Sequence, residues 1–263
     1  MLRRSPSMDP ERLCEIAIAA CTTGAAIARE GVDRRPVATK STATDIVTAT
    51  DLAAEEAIRS VLASQAPGSA VLGEEGGSVI GGAGAHGDIE WVVDPLDGTV
   101  NYAFGVPISA VSVAAVFRGR PIAGAVIDIA RGETYSAVRG GGARCDDERL
   151  EVGSCRDSSL ALVATGFAYD AARRTVHGEA VARLLPLVRD VRAFGSAALH
   201  LCWVAQGRID LYFERDIKPW DHCAGALIAT EAGAAVELPC PENDGLIVAA
   251  NPVLARAVRP LLS

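Results

Sequence analysis

Between Ala110 and Val138 three β-rich runs (Ala110–Phe117, 122–129 and 133–138) are separated only by the turn segments 118–121 and 131–132. Connections this short reach only an antiparallel neighbour, because a parallel crossover needs about a dozen residues or more. The centre of the chain is therefore a meander, and the rest must pack around a sheet. Upstream, residues 11–30 place apolar side chains at 13, 16, 17, 20, 24, 27 and 28, a helical stripe. A polar stretch (33–44) leads to a second helix over 51–65, its start marked by Thr48, Thr50 and Asp51. Ala70–Gly73 reads as a short strand. Downstream, strand and helix alternate: strands over 160–165, 191–194, 209–214 and Leu246–Ala250, helices over 173–185 and 195–205, and further helices opening at Pro219 and after Pro252. Helices in front, a meander in the middle and alternation behind imply stacked α and β layers. No repeat or long linker is visible.

A length of 263 residues suits one large domain or two closely packed lobes, and 49% hydrophobic residues can fill a large core. The apolar runs stop well short of the ~20 residues of a membrane span. The start, Met1-Leu2-Arg3-Arg4, is followed by Ser, Pro and Asp rather than an apolar stretch, so no secretory signal is expected. Met8 is an alternative start, with 1–8 a disordered tail. The expected location is cytoplasmic, without a membrane partner. Seven scattered cysteines form no C-x-x-C pair, which points to free thiols. A formal net charge of −8 argues against nucleic acid as the main partner. A phosphorylated metabolite stays open, because bound cations can reverse the sign of a site locally. The Gly-rich loop over 76–87 contains a formal G-x-G-x-x-G (82–87), but the neighbouring strand follows it rather than preceding it, so no dinucleotide site is expected. That loop is expected to be mobile.

The chemistry concentrates in Trp91-Val-Val-Asp94-Pro95-Leu96-Asp97-Gly98-Thr99, an apolar strand breaking into a turn with two carboxylates three positions apart. Asp94 follows a buried-looking run, where an unpaired charge is costly. A divalent cation resolves that cost. Mg2+ takes oxygen ligands, which Asp94, Asp97, Glu74 and a backbone carbonyl supply. Gly98 and Thr99 offer amides to an anion. Asp51 and Asp221 also have bland readings, as a helix cap and as an acid in a helix's first turn. Ser196 lacks the context of a nucleophile elbow, His200 alone makes no triad, and His222 reads as packing or capping.

Gly73-Glu74-Glu75, Asp94-Pro-Leu-Asp97-Gly98-Thr99 and Trp220-Asp221 resemble the signature motifs of the inositol monophosphatase family. Lys40, Asp45-Ile-Val-Thr-Ala-Thr-Asp51, Phe194-Gly195-Ser196-Ala197-Ala198 and Asp210-Leu-Tyr-Phe-Glu214 add to the likeness, which runs from about residue 11 to 251. The resemblance implies an α-β-α-β-α sandwich of the α/β class over residues 9–263, with lobes of about 9–150 and 151–263. It implies a homodimer that hydrolyses phosphate monoesters with two or three Mg2+ and is sensitive to lithium. Carried onto this chain, Glu74, Asp94 and the Leu96 carbonyl hold a first metal, and Asp94, Asp97 and Asp221 a second. Thr99 and Asp51 orient the attacking water, with Glu74 beside them. Gly98 and Thr99 contact phosphate, while Gly195, Ser196, Ala197, Glu214 and Asp221 face the substrate.

Asp216 stands where many relatives carry glycine, and Lys218 adds a cation nearby; both bear on the substrate. The leading expectation is an inositol-1-phosphate phosphatase acting on a small phosphorylated polyol. Histidinol phosphate or fructose 1,6-bisphosphate is the nearest alternative, and a non-catalytic scaffold the more distant one.

Overall fold

The computed structural model describes residues 9–31, 34–79, 81 and 86–262. The expected tail over 1–8 and most of the Gly-rich motif (82–85) lie outside the described residues. In the first part of the chain α1 (Pro10–Glu30) precedes a small antiparallel ribbon, β1 (Pro36–Thr39) with β2 (Ile46–Thr48), in the stretch expected to be merely polar. Next come α2 (Ala49–Gln65), β3 (Ala70–Gly73), β4 (Gly77–Val79), β5 (Ile89–Asp97) and α3 (Thr99–Ala103). The meander follows as β6 (Ala110–Phe117), β7 (Arg120–Asp128) and β8 (Thr134–Val138), extended by β9 (Gly142–Cys145) and β10 (Glu148–Arg149). These form one eight-stranded sheet in the order β10-β9-β8-β7-β6-β5-β3-β4. The start of the Gly-rich loop is thus an edge strand, β4 pairing Gly77 with Gly73 across a tight turn.

The second part contains β11 (Leu162–Thr165), α4 (Ala171–Leu184), β12 (Asp190–Arg192), α5 (Ala197–Ala205), β13 (Leu211–Arg215), α6 (Pro219–Glu231), β14 (Ala235–Glu237), β15 (Leu246–Ala250) and α7 (Pro252–Val258). Its sheet runs β12-β11-β13-β15-β14, parallel across β12-β11-β13 and antiparallel beyond. Several expected boundaries shift by about two residues, two of them for clear local reasons. The strand expected over 191–194 ends at Arg192, ahead of Gly195 at φ 78°. The next helix starts at Ala197 because Ser196 is its extended N-cap, accepting from the Leu199 amide.

Period-2 alternation of apolar residues on both faces explains the layering. On β6 and β7, Val111, Val113, Ala115, Ala123, Ala125 and Ile127 pack with α1 and α2, whereas Ala110, Ala114 and Val126 pack with α5 and α6. Ala180 and Leu184 of α4 and Leu254 and Val258 of α7 cover the far face of the smaller sheet. The order is α-β-α-β-α. Gly124 lets α6 approach, since a Cβ there would lie 3.2 Å from Ala224 Cβ. Cys14, Cys21, Cys145 and Cys202 are buried free thiols, and among the described residues no helix is long and apolar enough to cross a membrane.

Candidate active site

β3 and β5 run parallel with Gly73 opposite Val93, so Glu74, just past the end of β3, and Asp94, still within β5, lie at the same end of the sheet. The Glu74 amide donates to Val93 O at 3.2 Å. Pro95 has no N–H to continue the ladder, and the β5–β6 register slips between Asp94 and Asp97. The slip turns the chain so that Asp97, Gly98 and Thr99 face the same side, with Gly98 at φ 91°. α6 brings Asp221 in its first turn, and α5 presents its first amides to Asp97. Asp97 accepts from Ser196 Oγ at 2.5 Å, Ala198 N at 2.7 Å and Ala197 N at 3.3 Å.

A cavity of about 620 Å3 opens here. Its lining includes every expected site residue but one: Glu74, Asp94, Leu96, Asp97, Gly98, Thr99, Gly195, Ser196, Ala197, Glu214 and Asp221. Asp51 is the exception, being fully buried behind Thr99. Its two oxygens divide the readings given above. Oδ2 accepts from Thr48 N and Oγ1 as a helix cap, and Oδ1 accepts from Thr99 Oγ1 at 2.8 Å. Ser196, expected to face substrate, spends its hydroxyl on Asp97.

The acids strain one another electrostatically. Burial, then the charges of Glu74, Asp97 and Asp221, pushes the Asp94 carboxyl well above the ordinary carboxylate range. Burial pushes Asp97 up to about 6, against the pull of its three hydrogen bonds. Asp221 is raised by burial and by Glu74 and Asp97, although the Lys218 amide donates to it at 2.5 Å. Two like charges 4 Å apart repel by about 4 kcal/mol at an effective dielectric of ~20, so such a group stays ionised only beside a cation. Lys40 supplies one, its ammonium 2.7 Å from Glu74 and 2.5 Å from Glu75. Burial lowers the Lys40 ammonium, but Glu74 and Glu75 more than offset this.

Buried, mutually repelling carboxylates beside the Leu96 carbonyl are hard oxygen donors and fit a divalent ion. They are not drawn into a finished coordination sphere, since among the described residues no three acidic, His or Cys side chains stand close enough to hold an ion as they are. Glu214 accepts from Tyr212 at 2.8 Å, and burial raises it to about 8.

Sequence reasoning missed three contributors. Glu55 on α2 accepts from the Glu75 and Gly76 amides, each at 2.8 Å. Asn101 Nδ2 donates to Ile108 O at 2.9 Å and Phe194 O at 2.6 Å, tying the turn after Gly98 to the segment before Gly195. Arg173 forms part of the cavity wall and is clamped by Asp216 at 2.7 and 3.0 Å. A signal for Glu55 was present: it sits four residues after Asp51 on the face of α2 that carries Ala54, Ile58 and Leu62.

Residues 9–262 match the Inositol monophosphatase family. The chain belongs to that family. An inositol-1-monophosphatase of Mycobacterium leprae (strain TN) is 44% identical, the match covering 96% of this chain and 94% of the relative. A protein called Nus factor SuhB from Pasteurella multocida (strain Pm70) is 40% identical over 90% of this chain and 87% of its own length. Among solved structures, Mycobacterium tuberculosis SuhB superposes with a TM-score of 0.83 at 40% identity, covering 97% of both chains. The inositol monophosphatase from Anabaena (Nostoc) sp. PCC 7120 gives 0.83 at 30% identity, over 96% of this chain and 95% of that one. These likenesses agree with the α-β-α-β-α layering of this family member.

Proposed function

We propose that this family member hydrolyses phosphate monoesters of small polyols, inositol 1-phosphate foremost, with divalent metal ions, Mg2+ by preference. The observation that carries this reading is the convergence of Glu74, Asp94, Asp97, Asp221 and Thr99 on one cavity, with Asp51 holding the Thr99 hydroxyl from behind. Glu74, Asp94 and the Leu96 carbonyl would hold one ion, and Asp94, Asp97 and Asp221 a second. Bound there, divalent cations supply Lewis acidity that makes water nucleophilic near neutral pH and offsets charge on the leaving oxygen.

The remaining work falls to the chain's own groups. Thr99 Oγ1 shares its proton between Asp51 Oδ1 at 2.8 Å and Leu96 O at 3.0 Å, so its lone pairs are left to accept from a water. That water is thereby oriented toward phosphorus. The Gly98 and Thr99 amides take the phosphate oxygens, and the Asp97–α5 clamp holds Gly195 and Ala197 along the alcohol side. Glu214, on the cavity wall and raised by burial, is a hydrogen-bond partner for a ring hydroxyl.

Phosphate release from inositol 1-phosphate, histidinol phosphate and fructose 1,6-bisphosphate, compared by kcat/KM with Mg2+ present, tests the substrate. Inositol 1-phosphate is expected to lead; a preference for histidinol phosphate overturns the choice. Release from none of them, with Mg2+ present, favours the scaffold reading.

A further inference from the structure

Glu74 is placed by its backbone. Its amide is pinned to Val93 O, and the peptide that follows it is pinned by Glu55, whose Oε2 accepts from the Glu75 amide at 2.8 Å. Both peptide planes flanking the Glu74 Cα are thus fixed, which sets the direction in which its side chain leaves the turn. Glu55 Oε1 also accepts from the Gly76 amide at 2.8 Å and from Arg59 Nε at 2.8 Å, while Arg59 Nη2 donates to Gly77 O at 2.7 Å. Glu55 is 3% exposed, and each of its carboxylate oxygens has a donor.

The turn is shaped around this acid. A Cβ at Gly76 would stand 2.6 Å from Glu55 Oε1, and one at Gly73 would collide with the same oxygen. Glycine at both positions makes room for a buried carboxylate, a demand that the tight turn at Gly77 does not explain. Glu55 does not reach the cavity, which is lined by Glu74 but not by Glu55.

We infer that Glu55, braced by Arg59, is a positioning residue that sets the metal affinity of Glu74 by fixing the turn from Gly73 to Gly77. The inference rests on the metal reading given above. Partners that orient a metal ligand from behind typically govern affinity by about 10–100-fold. Glu55→Gln keeps the shape but turns an NH2 group toward an N–H donor, so the turn loses one of its anchors.

The test is Mn2+ binding followed by electron paramagnetic resonance, with circular dichroism checking the fold of each metal-free protein. Glu55→Gln is expected to raise the Mn2+ Kd about 10–100-fold. The Mg2+ concentration for half-maximal phosphate release is expected to rise in step, with kcat recovered at saturating Mg2+. A merely structural role would not produce that split. A folded Glu55→Gln protein with wild-type Mn2+ affinity overturns the inference. If Glu55→Gln does not fold, Arg59→Met carries the test, with weakened Mn2+ affinity supporting the inference and unchanged affinity overturning it. Wild-type protein that binds no Mn2+ overturns the metal reading itself, and the inference with it.

Discussion

Thr99 Oγ1 donates to Asp51 Oδ1 at 2.8 Å, joining the turn after β5 to the first turn of α2. The pair is buried, and Asp51 is simultaneously the N3 acid of a capping box with Thr48. One carboxylate therefore secures a helix with one oxygen and aims a hydroxyl with the other.

Separating those two jobs is the first prediction. Thr99→Val removes the hydroxyl at nearly constant volume and should lower kcat about 10²–10⁴-fold, the usual worth of a positioned acid–base group. Its stability should also fall, by about 1–3 kcal/mol, because Asp51 Oδ1 is left buried without a donor. Asp51→Ala should lose activity and more stability than Thr99→Val, because the Thr48 amide and hydroxyl lose their acceptor as well. Steady-state kinetics beside urea unfolding of the two variants checks this; equal stability loss in both would contradict the division.

Asp216 is held at φ 65° and clamps Arg173, with His177 Nε2 3.3 Å away. The ion pair is a third exposed on each side, so its direct worth is only about 0.2–1 kcal/mol. Its larger effect is on the cavity wall. Asp216→Gly should therefore raise KM for inositol 1-phosphate while leaving kcat and stability near wild type. A fall in kcat with unchanged KM would count against a role in substrate fit.

His200 is fully buried against Phe194, Trp203 and Tyr212, and neither ring nitrogen has a hydrogen-bond partner. Burial lowers its pKa to about 3. Between that value and about 6.5 the unfolded chain binds a proton that the native chain does not, so stability rises with pH across this window and is lost as pH falls through it. At pH 5 the loss from this one group amounts to about 2 kcal/mol relative to pH 7. Urea unfolding at pH 7 and pH 5 should show a smaller difference for His200→Phe than for wild type. An unchanged difference would mean that His200 is not the group responsible.

How far the fold was legible follows from where each signal resides. The meander could be read because turns such as 118–121 are too short for any other connection, and β6–β7 and β7–β8 pair as antiparallel neighbours. Asp94 and Asp97 stood out because Pro95 breaks a strand between two acids. Glu55 escaped because a helix acid is ordinarily solvated; its place on the apolar face of α2 marks it as inward-facing, but the Glu75 and Gly76 amides that it meets come from a remote turn. The paired β1 and β2 escaped too, since the exposed residues 36–39 carry no apolar alternation. Asp216, marked in the sequence as standing where relatives carry glycine, proved to have a left-handed backbone that explains glycine there.

On the proposed reading, hydrolysis depends on ions held by the acids around Asp94. Phosphate release from inositol 1-phosphate is therefore to be measured for wild type and Asp94→Asn, each with Mg2+ and with a chelator. Wild type should turn over only with Mg2+, and Asp94→Asn should fall by about three orders of magnitude or more, as befits loss of a shared metal ligand. Its metal-free melting temperature should hold or rise, because an amide carries no cost of holding a buried carboxyl charged or protonated among other acids. Wild-type turnover that persists in chelator, or an Asp94→Asn protein that keeps its Mg2+-dependent rate, would contradict the account.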